Sequence, residues 1–443
     1  MRRREAYVVV DLLYGDQGKG GVTDFLVRDR GAHTVVRYNG GAQAGHAVET
    51  ADGRRHVFAQ LGAGSFVPGV ETLLAREVAI QPWAMIVEAE HLGRSGVPDG
   101  LARVRVHEDA PVITPFHRAA NRLRELARGE ARHGSVGVGV GEAVRDARTL
   151  GERDVLRARD LWDARATRDK LARIQERKRA ELSELAGDLG QEPEARPLCD
   201  AEVVESYAER LAPFTREARL AAEEDVRAIF DRDGAVVLEG AQGVLLDEHR
   251  GFHPYTTWSD CTDGNAARLL EACAYDGEVV RLGVVRAYAT RHGPGPFVTE
   301  DASLAARLPD AHNADHPWQG RFRVGWFDAV AVRYAVACCE RVDGLAVTCL
   351  DRLAGVAEPR VATAYVIDGE RVDALTLGRR GDLAHQAALT ERLMRAQPLY
   401  ETCEGDLGLA IAAAVRAPLR LRSFGASAQD KRWVEPRGGT TRP

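Results

Sequence analysis

Short apolar runs alternate with stretches of helical period along most of the chain. The first run, residues 7–13, is rich in β-branched side chains and is bounded by Gly15, a pattern typical of a strand buried on both faces. Helices are predicted between such runs, over residues 115–128, 206–231 and 326–341. The other predicted strands are residues 33–37, 235–239, 278–285, 344–348, 360–366 and 419–423. Strands alternating with helices predict an α/β fold with a large central, mainly parallel sheet and flanking helices.

One region departs from this alternation. Residues 151–231 are rich in charged residues, alanine and leucine, which predicts a mostly helical insertion whose charges form a solvated face. We expect the insertion to belong to a single domain spanning residues 1–443. The last residues, 435–443, have the composition of a flexible tail.

Charge and cysteine usage narrow the class of protein. The 443 residues carry a formal net charge of −6, whereas binding to a nucleic-acid backbone requires a basic surplus. No apolar run reaches the roughly 20 residues of a membrane span. The first apolar run leads into glycines rather than a cleavage site, and the seven cysteines include no CxxC pair. These patterns predict a cytoplasmic protein without nucleic-acid or membrane partners.

A glycine-rich segment, GDQGKG, follows the first predicted strand at residues 15–20. Its glycines allow backbone amides to approach phosphate oxygens, and Lys19 supplies a positive charge. The Asp16 carboxylate can hold Mg²⁺ or act as a base. The spacing is not GxxxxGK[ST], and an ordinary strand-to-helix turn has a similar composition. Both interpretations therefore remain open at this point.

Two more segments of small residues follow predicted strands. NGGAQAGH, residues 39–46, ends in His46, which is either an acid–base group or a loop histidine with a structural hydrogen bond. EGAQGVLLD, residues 239–247, places Gln242 at a turn. Loops at the carboxyl ends of strands in an open α/β sheet share one edge, so all three are expected to meet at one crevice.

Taken in this order, these segments closely resemble adenylosuccinate synthetase. The similarity is collinear over nearly the whole chain. It continues through TPFHRA (114–119), HPYTT (253–257), RAYATRHGPGPFVTE (286–300), GWFDAVAVRYAV (325–336), TCLD (348–351), PLYET (398–402) and SFG (423–425).

The resemblance implies a GTP-dependent ligase. That family uses GTP and Mg²⁺ to phosphorylate the carbonyl oxygen at ring position six of IMP, and the amine of aspartate then displaces the phosphate. By this resemblance Asp16 is the base that removes the ring N–H proton, and His46 is the acid at the carbonyl oxygen. Lys19 neutralises phosphate charge, and Gln242 orients the ring. The family forms homodimers, which the resemblance implies here too.

The other site residues follow from the same resemblance. The nucleotide-binding positions are Gly15, Gln17, Gly18, Lys19, Gly20, Asp351, Ser423 and Gly425. The acceptor-binding positions are Asp16, Gln43, Ser135, Val136, Gln242 and Thr257. Those of the amine donor are Thr299, Arg321 and Arg323, and Mg²⁺ is assigned to Asp16 and the main-chain carbonyl of Gly45.

The chain departs from the family pattern on the two substrate sides. Four consecutive arginines of the family are reduced to GRFR, residues 320–323, so the clamp for the donor carboxylates loses guanidinium groups. The family loop GTTGRGIGP is here GSVGVGVGE, residues 134–142, with valines at 136 and 138 and an acid at 142. Gln43 also stands where the family has asparagine.

The nucleotide side is better preserved. Asp351 is retained, while Cys349 stands in place of a lysine, Ala47 in place of a threonine and Gln17 in place of a glutamate. GTP is therefore the expected co-substrate.

Together these departures favour a substrate-shifted relative that keeps the activation chemistry but has a changed acceptor, amine donor or both. Two alternatives remain: a true adenylosuccinate synthetase that uses IMP, aspartate and GTP, and a non-catalytic guanine-nucleotide sensor. The intact Asp16, Lys19, His46 and Gln242 count against the sensor.

Overall fold

A ten-stranded sheet forms the centre of the molecule. The structure is a computed structural model that describes residues 4–186, 192–309, 315 and 318–434. Its strands are β1 (Glu5–Asp11), β2 (Ala32–Arg37), β3 (His46–Glu49), β4 (Arg55–Phe58), β5 (Glu71–Leu74), β6 (Val104–His107), β7 (Arg219–Ala221), β8 (Ala235–Glu239), β9 (Glu278–Arg286), β10 (Ala289–His292), β11 (Phe322–Gly325), β12 (Phe327–Asp328), β13 (Gly344–Thr348), β14 (Arg360–Ile367), β15 (Glu370–Val372), β16 (Gln397–Thr402), β17 (Leu419–Ser423) and β18 (Lys431–Trp433).

The central sheet is mainly parallel, as predicted. Its strand order is β18-β17-β13-β9-β1-β8-β2-β5-β6-β7, and only the edge pair β17 and β18 is antiparallel. Alternate side chains of β1 belong to two different hydrophobic clusters, with Val8 and Val10 on one face and Tyr7 and Val9 on the other. Burial on both faces explains why this strand is a continuous apolar run.

Helices cover both faces of the sheet and make up most of the described part of residues 164–230. They are α1 (Lys19–Arg30), α2 (Pro82–Arg94), α3 (Pro115–Arg128), α4 (Val140–Thr149), α5 (Ala164–Ala186), α6 (Arg196–Cys199), α7 (Glu202–Arg210), α8 (Ala212–Glu217), α9 (Glu223–Phe230), α10 (Gly264–Ala272), α11 (Ala302–Arg307), α12 (Ala329–Cys338), α13 (Leu383–Leu393) and α14 (Leu407–Val415). Within the described ranges, none is long and apolar enough to cross a membrane.

Two local predictions were wrong. Residues 206–231 are not one helix: α7 ends at Arg210, α8 begins at Ala212 with Pro213 in its first turn, and β7 then joins the edge of the sheet beside β6. Residues 326–341 begin with β12, and Asp328 caps the following helix by accepting from Ala331 N at 3.0 Å. The strand predicted over residues 360–366 is present as β14, and it lies outside the central sheet, in a separate sheet with β12, β15 and β16.

The charges of the predicted insertion do not all lie in solvent. Lys178 on α5 is fully buried, and its Nζ lies 2.8 Å from Asp146 and 3.1 Å from Glu142, both on α4. This ion-pair network attaches α5 to α4. The other described charged residues of 151–231 are exposed or partly exposed, as expected, so Lys178 is the exception to the solvated face. The predicted tail, residues 435–443, lies outside the described residues.

Candidate active site

The three glycine-rich loops lie side by side at one edge of the sheet. They follow β1, β2 and β8, and these strands are neighbours in the order β1-β8-β2. The carboxyl ends of parallel strands point the same way, so the loops converge as the sequence predicted.

The backbone after β1 makes a tight turn into α1. Asp16 and Gly18 have φ angles of 58° and 93°. A β-carbon on Gly18 would lie 3.2 Å from Thr348 Oγ1, and one on Gly20 would lie 2.9 Å from Cβ of His46. Glycine is needed at these two positions because the loop packs directly against β13 and against the loop that carries His46.

A buried carboxylate, Asp11, organises the first loop. One oxygen of Asp11 accepts from the amides of Leu13 at 3.0 Å and Gly15 at 3.2 Å. The other accepts from the Gln17 amide at 3.2 Å and from Lys19 Nζ at 2.7 Å. The turn is therefore held by a charged acceptor beneath it, a role that the sequence analysis did not assign.

Side chains also connect the three loops to one another. Lys19 Nζ donates to the main-chain carbonyl of Gln242 at 2.8 Å, which links the first loop to the third. Asn39 donates to the carbonyl of Ala241 at 3.1 Å and accepts from its amide at 2.7 Å, which links the second to the third. The three loops thus form one hydrogen-bonded unit.

His46 is held from behind by a carboxylate. Its Nδ1 lies 2.6 Å from Oε1 of Glu239, the last residue of β8, and both side chains are buried. Burial lowers the pKa of His46 more than Glu239 raises it, so the ring is neutral at pH 7. Burial raises the pKa of Glu239, but His46, Arg37 and the Ala63 amide lower it further, so the carboxylate is ionised.

Asp16 is partly exposed beside a second histidine. His292 Nε2 lies 3.3 Å from Asp16 Oδ2, and the Asp16 side chain is 28% exposed. Burial raises its pKa, but the hydrogen bond and charge of His292, with Arg286 and Lys19, hold it below the usual value. Asp16 is thus an ionised, accessible carboxylate.

That carboxylate fits a magnesium ion bound mainly by its substrate. Mg²⁺ is usually held by one or two carboxylates, with phosphates and water supplying the other ligands. Among the described residues, no cluster of three or more histidine, cysteine, aspartate or glutamate side chains forms a protein-only metal site. The ionised and accessible Asp16 carboxylate is suited to a metal that arrives with nucleotide phosphates.

A cavity of about 300 Å³ opens beside the loops. Five of the six residues expected to bind the acceptor line this cavity: Gln43, Ser135, Val136, Gln242 and Thr257. The sixth is Asp16, whose neighbour His292 also lines the cavity. The side-chain amides of Gln43 and Gln242 are buried, and neither their oxygen nor their nitrogen has a hydrogen-bond partner among the described residues. Because buried polar groups are normally paired, two such amides facing one cavity indicate a ligand that pairs with them.

The far wall of the cavity is a mixture of opposite charges. Glu142 forms ion pairs with Arg124 at 3.0 Å and Arg145 at 2.7 Å, and Arg128 pairs with Glu125. Ser135 is bonded to Asn121 at 3.0 Å, while the neighbouring Val136 contributes apolar surface. The arginines at this wall are therefore partly neutralised by carboxylates of the chain itself.

The positions expected to read the nucleotide base adjoin the first loop. Thr348 Oγ1 donates to the Gln17 carbonyl at 2.7 Å, and the Leu350 amide donates to the Ser423 carbonyl at 3.1 Å. Asp351 is exposed next to this junction, and Ser423 Oγ donates to the Gly425 carbonyl at 3.1 Å. The base-side residues are thus in one place, beside the loop expected to hold phosphates.

Gln17 is one of the expected nucleotide-binding positions, but its side chain lies inside the loop. Its side chain is fully buried, its Nε2 donates to the Gly15 carbonyl at 2.8 Å, and its Oε1 accepts from the Arg286 amide at 2.7 Å. With its own amide bonded to Asp11, this residue supports the loop from inside.

The expected amine-donor residues surround one acid. Arg323 lies 3.0 Å from Glu300 and donates to the Gly295 carbonyl at 2.8 Å, whereas Arg321 is 73% exposed and 3.5 Å from Glu300. Thr299 is fully buried, and its hydroxyl has no hydrogen-bond partner among the described residues.

Phe322, between the two arginines, contacts the acceptor side of the site. Its ring centroid lies 4.8 Å from that of His292, the neighbour of Asp16. His292, Glu239 and Asp11 were all missed by the sequence analysis. For Asp11 and Glu239 a signal was present, since each is an acid at the end of an otherwise apolar strand.

Comparison with known proteins identifies the family. Residues 8–407 match the family model described as adenylosuccinate synthetase. Adenylosuccinate synthetase 2 of Chromobacterium violaceum is 32% identical over 91% of this chain and 88% of its own length. The adenylosuccinate synthetase of Myxococcus xanthus is 34% identical over 90% and 87%.

Solved structures show the same fold. A fully ligated adenylosuccinate synthetase from Plasmodium falciparum superposes with a TM-score of 0.76 at 20% identity, over 97% of this chain and 99% of that one. The cyanophage S-2L succinoaminodeoxyadenylate synthetase, bound to dGMP and dATP, has a TM-score of 0.61 at 18% identity over 98% and 97%.

The relatives bear on the alternatives that the sequence left open. They favour a true adenylosuccinate synthetase over a substrate-shifted relative, and none supports a non-catalytic sensor. The chain belongs to the adenylosuccinate synthetase family, whose members are GTP- and Mg²⁺-using ligases that form a carbon–nitrogen bond.

Proposed function

We propose that this protein joins IMP to aspartate at the expense of GTP. The proposal rests on the convergence of the loops that carry Asp16, Lys19, His46 and Gln242 at one edge of the sheet, where Gln242 lines the cavity. The curated relatives, all named adenylosuccinate synthetases, support the same reaction.

The acceptor ring lies between the two unpartnered amides. Each of Gln43 and Gln242 offers two N–H donors and one carbonyl acceptor, which suits a 6-oxopurine edge that carries both a carbonyl and a ring N–H. A cavity of about 300 Å³ is within the usual range for a small ligand.

Activation of the acceptor needs a base and a phosphoryl group. Asp16 removes the ring N–H proton, which places negative charge on the carbonyl oxygen. That oxygen attacks the γ-phosphorus of GTP, so one oxygen–phosphorus bond forms as the bond to GDP breaks. Lys19 and the first amides of α1 stabilise the charge on the transferred group.

Displacement follows at the activated carbon. The amine of aspartate attacks ring position six, the carbon–oxygen bond breaks, and phosphate leaves with the former carbonyl oxygen. His46 Nε2 faces the oxygen once Nδ1 is engaged by Glu239, and anionic substrates raise the proton affinity of the ring so that it can donate there. Splitting one difficult substitution into two steps is the gain from phosphorylation.

Mg²⁺ would be held by Asp16 and the main-chain carbonyl of Gly45, together with nucleotide phosphates. Bound there, it supplies positive charge that neutralises the phosphates during transfer. Asp351, Ser423 and Gly425 read the guanine base, with the Asp351 carboxylate accepting from its N–H groups.

The amine donor binds at Thr299, Arg321 and Arg323. The pairing of both arginines with Glu300 leaves them able to exchange that partner for the carboxylates of aspartate. A homodimer and a cytoplasmic location are part of this proposal and rest on the family alone.

A second candidate differs only in the acceptor. Val136, and the pairing of Arg124 and Arg145 with Glu142, make the far wall of the cavity less suited to a phosphate dianion. A 6-oxopurine acceptor without a phosphate would avoid that cost.

Steady-state kinetics distinguishes the two candidates. The proposal expects phosphate release that requires GTP, IMP and aspartate together, with kcat/KM for IMP at or above about 10⁴ M⁻¹s⁻¹. Matched assays replace IMP with inosine. A higher kcat/KM for inosine than for IMP would favour the second candidate. No phosphate release with either acceptor would refute both candidates.

A further inference from the structure

The carboxylate of Asp11 lies beneath the loop expected to hold the nucleotide phosphates, at the end of β1. It is 1% exposed and accepts from three backbone amides and from Lys19 Nζ. Burying a carboxylate and an ammonium together has a large desolvation cost. Such a pair directly under a phosphate loop therefore indicates a role beyond stability.

We propose that Asp11 is a positioning residue of the ligase reaction and that it acts through Lys19. This role of Asp11 rests on the proposed function. The carboxylate fixes the Lys19 ammonium 2.7 Å away, where the same Nζ also donates to the Gln242 carbonyl at 2.8 Å. Through this one ammonium group, Asp11 sets the spacing between the nucleotide loop and the turn that presents Gln242 to the acceptor.

The backbone bonds of Asp11 serve the same end. The amides of Leu13, Gly15 and Gln17 point inward to the carboxylate and are thereby withdrawn from phosphate. The loop contributes its charge at Lys19, while the amides that open α1 provide the remaining donors. Asp11 thus decides which donors of the loop face the nucleotide.

Asp11 also sets the charge of the loop. Its carboxylate offsets the Lys19 ammonium, which is 2% exposed and shielded from water. The pair as a whole is neutral, so it attracts the nucleotide less strongly than an unpaired lysine would. The ammonium is nevertheless already fixed in position when charge develops on the phosphoryl group in the transition state. Preorganised charge of this kind favours turnover over ground-state binding.

Asp11→Asn separates positioning from ordinary stabilisation. The variant keeps an oxygen for Leu13 and Gly15 but turns an N–H donor toward the Gln17 amide and Lys19. We expect kcat to fall by about tenfold to a hundredfold, as when a preorganised electrostatic contact is lost. The Kd for GTP with Mg²⁺ should be unchanged or lower, because Lys19 is then no longer offset.

Glu88→Gln is the matched control. Glu88 is also buried and accepts from three backbone amides, those of Ala59, Gln60 and Leu61, but no lysine of the described residues pairs with it. This variant is expected to be less stable, with kcat unchanged for the folded protein.

The experiment combines titration calorimetry of GTP with Mg²⁺, turnover and thermal unfolding on wild type and both variants. A fall in kcat for Asp11→Asn without loss of GTP affinity, absent from Glu88→Gln, supports the inference. A kcat within threefold of wild type, or a joint loss of kcat and GTP affinity, overturns it. An inactive wild type refutes the proposed function instead, so the two failures are distinguishable.

Discussion

Nδ1 of His46 lies 2.6 Å from Oε1 of Glu239 at the carboxyl end of the central sheet. Because that nitrogen is engaged, Nε2 is the atom left to meet the substrate, and the orientation of the ring is set by Glu239. The second carboxylate oxygen of Glu239 accepts from the Ala63 amide at 3.0 Å, which keeps the acid itself in place.

Glu239→Gln should impair catalysis by weakening this support. The amide is neutral, so it no longer stabilises the ring when His46 becomes charged. We expect kcat to fall by about tenfold to a hundredfold, as with other losses of an orienting partner, while KM for GTP changes little. A stopped assay across pH 6–9 measures both constants, and kcat within threefold of wild type would show that Glu239 is dispensable.

Asp16→Asn tests the base. Asparagine can still bond to His292, but it cannot take the ring proton and is a poorer ligand for Mg²⁺. Turnover should therefore drop by at least about 10²-fold. Circular dichroism provides the folding control, and a folded variant that retains a tenth of wild-type turnover would remove Asp16 from the chemistry.

Asp351→Ala tests the choice of nucleotide. The wild type should use GTP better than ATP, because a carboxylate accepts from guanine N–H groups and repels the acceptor atoms of adenine. Loss of two hydrogen bonds to a charged group should reduce the GTP preference by at least about tenfold. The comparison is kcat/KM with each nucleotide, and an unchanged ratio would place base recognition elsewhere.

Glu88 should make stability depend on pH. Burial raises its pKa from 4.5 to about 7, despite the three backbone amides that lower it. The folded state therefore binds the proton more tightly, and this contribution to stability is complete below pH 4.5 and is lost as pH rises through about 7.

Urea unfolding of wild type and Glu88→Gln at pH 5.5 and 8.5 measures this effect. The glutamine does not titrate, so the stability advantage of wild type over the variant should shrink by about 1–3 kcal/mol at the higher pH. A constant or growing difference would mean that Glu88 is ionised throughout.

The sequence predicted the parts of the fold that depend on local patterns. Residues 115–128 form α3 with the same bounds, and all seven predicted strands exist. Successive side chains of a strand point to opposite faces of the sheet. A strand buried on both faces is therefore apolar at nearly every position, and a continuous apolar run identifies it. The sheet to which a strand belongs is not a local property, so the sequence predicted β14 as a strand without showing that it lies in a separate sheet.

Buried charges were the main features that the sequence could not place. Lys178 pairs with Glu142 and Asp146, which precede it by 36 and 32 residues, so nothing near it in the chain marks it as buried. Asp11 pairs with Lys19 across a turn that only the folded loop creates. In the candidate site, the loops were found because glycine-rich turns after strands are visible in sequence, whereas the side chains that support them were not.

The proposed mechanism requires that the carbonyl oxygen of the acceptor is phosphorylated before it is displaced. The direct measurement uses IMP labelled with ¹⁸O at ring position six, together with GTP and aspartate, and determines the isotope content of the phosphate by mass spectrometry. Each phosphate released is expected to carry the label from the acceptor. Product formed with unlabelled phosphate would contradict it.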